Sequence, residues 1–302
     1  MSFASDVKAE LADVSTRSDC CRVAQVYGML ELGHHFTGAD ITLQTENATV
    51  ASLYCELVGA VCGVDKPPIR EYPRKKDYYI VQVPVSDCRR VLERFGHAAD
   101  DLTVRLNRAN LDCDNCAAAY LRGAFLAAGS VTNPETDYHL EFSVPYYNLS
   151  RDMLALLAEC GLSAKCVTRK GNYIVYLKDS GQIEDCLTLM GAVSSSLEMM
   201  NVKIVKDIRN KANRVVNCEA ANIDKTVAAS AVHVNAIRRL LQNGGEESLP
   251  PELREIAQLR YTHPELSLRE LREQLTEPLS RSGVNHRLKR LVELAERLPD
   301  KE

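Results

Sequence analysis

Apolar residues run almost unbroken through residues 120–131, with small side chains at Gly123, Ala124, Ala127, Ala128 and Gly129. A surface helix is apolar along one stripe, so a helix apolar all round is expected to lie buried. The small residues predict close approach of a second backbone, and Gly129 with Asn133-Pro134 predicts where the helix stops. The run is too short to cross a bilayer. Apolar helical patterns also occupy residues 51–58, 88–92, 153–158 and 183–187, and strand-like alternation marks residues 41–45 and 138–142. Residues 74–81 and 168–175 resemble each other, each at the turn of a predicted hairpin, and residues 23–33 sit where a first copy of the central helix belongs. The order helix, strand, helix, two strands, helix thus occurs twice. That predicts a pseudo-twofold α+β domain from about Cys20 to Gly191, neither half of which buries its apolar face alone.

Beyond Gly191 the pattern changes. Lys203, Lys206, Arg209, Lys211 and Arg214 stand against one acid, Asp207, which predicts a connecting segment with a basic face suited equally to solvent or to phosphate. Asn222-Ile223-Asp224 is expected to open a new helix with Ile223, Val227, Ala231, Val234, Ile237 and Leu241 inward, closed by Gly244-Gly245. Pro250 and Pro251 start another, ending by Pro264. Ser267 and Glu270 form a capping box ahead of a short helix with Leu268, Leu271 and Leu275 inward, and Pro278 breaks it. Ser280 then caps a helix with Val284, Leu288, Leu291 and Val292 on its apolar face. A short helix, a tight turn and a second helix make a helix-turn-helix pattern.

The polar face of that last helix carries Arg281, Ser282, Asn285, His286, Arg287, Lys289 and Arg290 with no acid among them. Arg281, Ser282 and Asn285, near its start, have the donors that read base edges in a major groove. Arg287, Lys289 and Arg290 suit phosphates, which supply affinity without sequence information. Ser280, Ser267 and Arg269 complete the expected DNA-binding set, and double-stranded DNA is the expected partner. The competing account is a helical interaction module whose basic face meets only solvent.

At 302 residues, 45% hydrophobic and 26% charged, the chain is ordinary for a soluble protein of two domains. A net charge of −4 excludes a uniformly basic DNA wrapper and leaves room for a local basic patch. No apolar run follows Met1, so no signal peptide and no membrane contact are expected, and the expected location is the cytoplasm, in association with the nucleoid. Eleven cysteines are then expected as free thiols. Cys113 and Cys116 form a C-x-x-C ahead of the central helix, and Cys20-Cys21 holds the matching place in the first half. Four such thiols suit zinc, but adjacent cysteines point to different faces of a helix, so free thiols are the reading and no metal or cofactor is assigned. His34-His35 reads as a polar helix end.

Residues 121–129, L-R-G-A-F-L-A-A-G, resemble the LAGLIDADG motif of homing endonucleases. The resemblance implies two such helices packed side by side, feeding a saddle-shaped sheet. In nuclease members the eighth position is an acid that holds metal. Here that position is Ala128, and in the first copy it is Leu32 when aligned on Gly33, or Gly33 when aligned on Gly28. Neither register supplies a carboxylate, and Glu31 is expected to point elsewhere. A degenerate LAGLIDADG domain ahead of a helix-turn-helix, with residues 1–11, 137–141, 213–222 and 280–291, is similar to the WhiA family of bacterial regulators. The resemblance implies sequence-specific DNA binding and a transcriptional role in cell division, chromosome segregation or, in some bacteria, sporulation, with transcription or division proteins as further partners. The expected fold class is α+β, a pseudo-twofold domain of two αββαββα-type repeats followed by an all-α helix-turn-helix domain. Its expected divisions are an N-terminal helix (1–19), the two repeats (20–109 and 110–200), the basic connection (201–221) and the C-terminal domain (222–302). Lys75, Lys76, Arg169 and Lys170 at the hairpin turns, with the five cations of the connection, are the expected phosphate contacts. Two alternatives stay open: a protein-interaction scaffold with incidental DNA contact, and a metal-dependent endonuclease with relocated carboxylates.

Overall fold

The structure, a computed structural model, describes residues 2–16, 18–73, 77–99 and 103–298; the expected phosphate contacts Lys75 and Lys76 lie outside these. The chain divides into two compact units, residues 1–206 and 207–302.

In the first unit, helix α1 (Phe3–Ala12) precedes two matching halves. One half runs α2 (Asp19–Glu31), β1 (His35–Phe36), β2 (Ile41–Thr45), α3 (Ala48–Cys62), β3 (Ile69–Pro73), β4 (Asp77–Gln82) and α4 (Val85–Arg94). The other runs α5 (Cys116–Ala128), β5 (Gly129–Val131), β6 (Leu140–Val144), α6 (Tyr147–Glu159), β7 (Lys165–Arg169), β8 (Asn172–Leu177) and α7 (Ser180–Met190). Side-chain caps start α2, α3 and α7, where Ser18, Asn47 and Asp179 each accept from a backbone amide of the first turn. Each half folds into an antiparallel sheet with the same strand order, β1-β2-β4-β3 and β5-β6-β8-β7. The duplicated pattern is therefore a duplicated topology. Each half holds a short strand that the periodicity does not mark, β1 and β5, directly after its central helix. His35 is accordingly not a helix end: it pairs with Thr42 across β1 and β2. Strands of two or three residues are too short to show alternation.

The central helices α2 and α5 pack against each other through glycine. A methyl group on Gly28 would lie 2.2 Å from the Tyr120 carbonyl oxygen, and one on Gly123 would lie 1.9 Å from that of Gln25. Only a hydrogen fits at either crossing point, because the obstacle is backbone. Around the crossing, Val26, Tyr27, Leu30, Tyr120, Leu121 and Phe125 are buried completely. The core extends to Val7 and Leu11 of α1 and to the inner faces of both sheets.

Helix α8 (Val193–Gly244) corrects the expected boundary at Asn222. Residues 193–243 contain neither proline nor glycine, so nothing interrupts the backbone ladder. Asn222-Ile223-Asp224 has the residue types of a helix start, yet it lies mid-helix, where Thr226 Oγ1 donates back to the Asn222 carbonyl at 2.8 Å. The expected connecting segment 201–221 is therefore helical throughout. The start of α8 is satisfied from far away in sequence. Glu10 accepts from the amides of Ser194 at 2.6 Å and Ser195 at 2.9 Å, and from the Ser195 hydroxyl.

The second unit packs the end of α8 with α9 (Pro251–Thr262), α10 (Leu268–Gln274) and α11 (Arg281–Glu296). Ile237, Leu253, Ile256, Leu271, Val284, Leu288 and Leu291 form its core; of the expected inward positions Leu268 and Val292 are only partly buried, and Ile223, Val227 and Ala231 are exposed, because the core reaches α8 only near its end. Arg260 of α9 is buried among them, donating to the carbonyls of Leu266 at 2.6 Å and Pro264 at 3.2 Å. It pins the loop that leads into α10.

Candidate nucleic-acid interface

The loop ahead of α10 and the turn ahead of α11 are set by two serines. Ser267 Oγ accepts from the Glu270 amide while Glu270 Oε2 accepts from the Ser267 amide at 2.8 Å, the capping box that the sequence pattern predicts. Ser280 Oγ accepts from the Gly283 amide at 3.1 Å and starts α11. Both hydroxyls thus have a structural acceptor role before any ligand is considered.

With α11 oriented by Val284, Leu288 and Leu291, its polar residues divide into three directions. Arg281, Asn285 and Lys289, four residues apart and so on one face, line a groove of about 1000 Å³ within the second unit. Lys225 of α8 and Arg269 and Arg272 of α10 line it as well. Ser282 and His286 are exposed beside that face. Arg287 and Arg290 turn away from it: Arg287 pairs with Glu277 at 3.2 Å and Arg290 with Glu252 at 3.7 Å. The sequence reading treats Arg287, Lys289 and Arg290 alike; the structure separates Lys289 from the two arginines, because helix phase carries those toward the acids of the preceding turn and of α9. Arg269 also meets Glu273 one turn on, at 3.2 Å, and stays largely exposed. Sequence reasoning misses Lys225 and Arg272. The spacing of Arg269 and Arg272 marks them as neighbours on α10, but Lys225 joins only through the way α8 lies beside α10 and α11 in the fold.

In the first unit, Arg169 and Lys170 stand at the β7–β8 hairpin tip. Lys170 (φ 50°) and Gly171 (φ 86°) form its two-residue turn, both left-handed as such a turn requires. Arg169 Nη1 is 4.0 Å from Glu141 Oε2, and the same oxygen is 2.8 Å from His139 Nε2, so this cation shares its surface with an acid. Of the cations expected along the connection, Lys203 pairs with Glu184 at 3.5 Å. Lys206 donates to the Pro134 carbonyl at 2.7 Å and lies over the Tyr138 ring. Both are bound to their own unit, whereas Arg209, Lys211 and Arg214 are exposed on α8.

The glycine crossing decides the register of the first motif copy. Gly28 and Gly123 make reciprocal contacts, so they correspond, which places Gly33 opposite Ala128 at the eighth position and sets Leu32 aside. The same register puts Glu31 three residues after Gly28, in the seam. Glu31 is completely buried there, and Tyr120 Oη donates to its Oε2 at 2.7 Å. Its Oε1 is 3.6 Å from His97 Nε2. Burial pushes the Glu31 carboxyl up to about 8, against the pull of hydrogen bonds from Tyr27 and Tyr120. The Glu31 carboxyl is thus an acceptor buried in the seam between α2 and α5.

The four cysteines do come together. The Cys113 sulfur lies 3.6 Å from that of Cys20, 3.5 Å from that of Cys21 and 3.5 Å from that of Cys116. Packing of α2 on α5 accounts for this, since Cys20 and Cys21 sit in the first turn of α2 and Cys116 begins α5.

A LAGLIDADG-like domain of two matching halves joined to a helix-turn-helix domain defines the class of this chain. Comparison with known proteins agrees. The WhiA LAGLIDADG-like domain matches residues 117–209, and the WhiA C-terminal HTH domain matches residues 212–295. The chain is 40% identical over 306 residues to the protein named "Probable cell division protein WhiA" of Desulforudis audaxviator, covering 99% of this chain and 98% of that one. It is 39% identical to the protein of the same name of Staphylococcus haemolyticus, with 99% and 98% covered. The crystal structure of full-length WhiA from Thermatoga maritima has the same fold, with a TM-score of 0.59 at 23% identity over the whole of both chains. The chain belongs to the WhiA family. No helix among its described residues is long and apolar enough to cross a membrane.

Proposed function

We propose that this chain is a sequence-specific DNA-binding protein, a transcriptional regulator acting in the cytoplasm, on the nucleoid, in cell division and chromosome segregation or in sporulation. The observation that carries the reading is the groove in which Arg281, Asn285 and Lys289 of α11 meet Lys225, Arg269 and Arg272. Arginine and asparagine near the start of a recognition helix suit guanine and adenine edges, and the surrounding cations suit the flanking phosphates. The names carried by its relatives, cell division proteins, support the biological part of the proposal. The LAGLIDADG-like unit is a scaffold that does not cleave DNA: Gly33 and Ala128 offer no side-chain carboxylate to a metal ion, which two-metal cleavage needs there. Its hairpin tip at Arg169 and Lys170 gives a second, weaker phosphate contact.

The test is a gel-shift titration at several fixed salt concentrations, on a site recovered by genome-wide occupancy mapping. Arg281→Ala and Asn285→Ala should each weaken specific binding by about 1–3 kcal/mol and relax preference at one base pair. Lys225→Ala should weaken all sequences alike and lower the salt slope by about 1. Unaltered site preference in both the Arg281 and Asn285 variants would refute the docking, and metal-dependent nicking of supercoiled plasmid by the purified chain would refute the scaffold reading.

A further inference from the structure

Cysteines 20, 21, 113 and 116 are the one group of metal-ligating side chains brought together among the described residues, with all four sulfurs within 4.8 Å of one another. We propose that they form a structural zinc site, a tetrathiolate that clips the first turn of α2 to the entrance of α5. Zinc–sulfur bonds of about 2.3 Å in a tetrahedron require sulfurs about 3.8 Å apart. Four of the six separations here are 3.5, 3.5, 3.6 and 4.0 Å, and all six are within 4.8 Å, close to the edges of that tetrahedron. Disulfide pairing predicts two close couples. Instead Cys113 is about equidistant from its three neighbours, which suits a central ion and not a bond to one of them.

The surroundings suit a doubly negative centre. A zinc ion with four thiolates carries a net charge of −2, formed as four S–H protons leave to the buffer. The starts of α2 and α5 both lie at the cluster, and the positive end of a helix dipole favours anionic sulfur. The Cys113 amide is 3.5 Å from the Cys116 sulfur and is placed to donate to it. Arg122, one further turn and a half along α5, is buried, and its Nε has no hydrogen-bond partner among the described residues. Four sulfur ligands in this geometry select zinc over the hard cations that carboxylates hold. With no position left for water, the site is closed and its role is to hold the two halves of the first unit together.

The experiment uses the full chain purified under reducing conditions without chelator. Elemental analysis should find one zinc per chain, and X-ray absorption at the zinc edge should show four sulfur neighbours at about 2.3 Å. Titration with a mercurial should release that zinc as the thiols react, and replacement by cobalt(II) should give the intense visible bands of a tetrahedral thiolate complex. Cys113→Ser and Cys116→Ser should lose the metal, while Cys218→Ser, exposed on α8, should keep it. The cobalt spectrum of the unsubstituted chain keeps the proposal testable where a variant fails to fold. A folded chain without stoichiometric metal, zinc retained by the Cys113→Ser, Cys116→Ser double variant, iron in place of zinc, or a disulfide found among these cysteines by mass spectrometry would each overturn it.

Discussion

Replacing Glu31 by glutamine should remove a pH dependence from the stability of the first unit. Glu31 is buried where α2 crosses α5, facing Tyr120 and His97, with Tyr27 and Asp152 the other titratable groups that act on it. Its carboxyl is ordinary in the unfolded chain, near 4.5, and rises to about 8 in the folded one. Below pH 4.5 both states hold the proton and the site costs nothing. Between the two values the folded state keeps a proton that the unfolded state has released, so stability falls as pH rises, by up to about 1.4 kcal/mol per unit. The loss is complete above pH 8, where it amounts to about 5 kcal/mol. Glutamine cannot ionise and still offers an oxygen to the Tyr120 hydroxyl. Urea unfolding of both proteins, followed by circular dichroism from pH 5.5 to 8.5, should show the variant gaining about 3 kcal/mol relative to the parent across that range. Parallel curves would refute the reasoning, because they would mean that Glu31 is already ionised in the folded chain.

Three further substitutions probe packing and a buried donor. Gly123→Ala would press a methyl group onto the Gln25 carbonyl and should cost about 3 kcal/mol in the same assay. Gly161→Ala, at φ 81° with open space around it, should cost only about 1 kcal/mol. Arg260→Met should destabilise the second unit by about 3 kcal/mol, seen as a lower melting temperature, because the carbonyls of Pro264 and Leu266 lose their donor.

The features legible in the sequence are those written in local pattern. The all-round apolar run at Tyr120–Phe125 announces a buried helix because no other environment suits it, and the paired hairpins announce a repeat because both halves keep the same order. Ser267 and Glu270 are readable because a capping box is complete within four residues. What stayed hidden depends on where two distant elements meet. Glu31 looks like a polar residue near the end of a helix until the Gly28–Gly123 crossing turns it into the seam. Cys20 and Cys21 lack the spacing of a metal motif, and only the convergence of two helix starts brings them to Cys113 and Cys116. Helix phase alone separates Arg287 and Arg290 from Lys289, but only the fold shows that this phase meets Glu277 and, on α9, Glu252.

Residues 3–12 have the look of a dispensable leader, a short helix ahead of the first repeat. Yet Glu10 supplies the acceptors for the opening amides of a helix that begins almost two hundred residues later. Trimming that leader would strip the start of α8 of the carboxylate that holds the Ser194 and Ser195 amides, so fraying would begin at a helix end far from the cut in sequence.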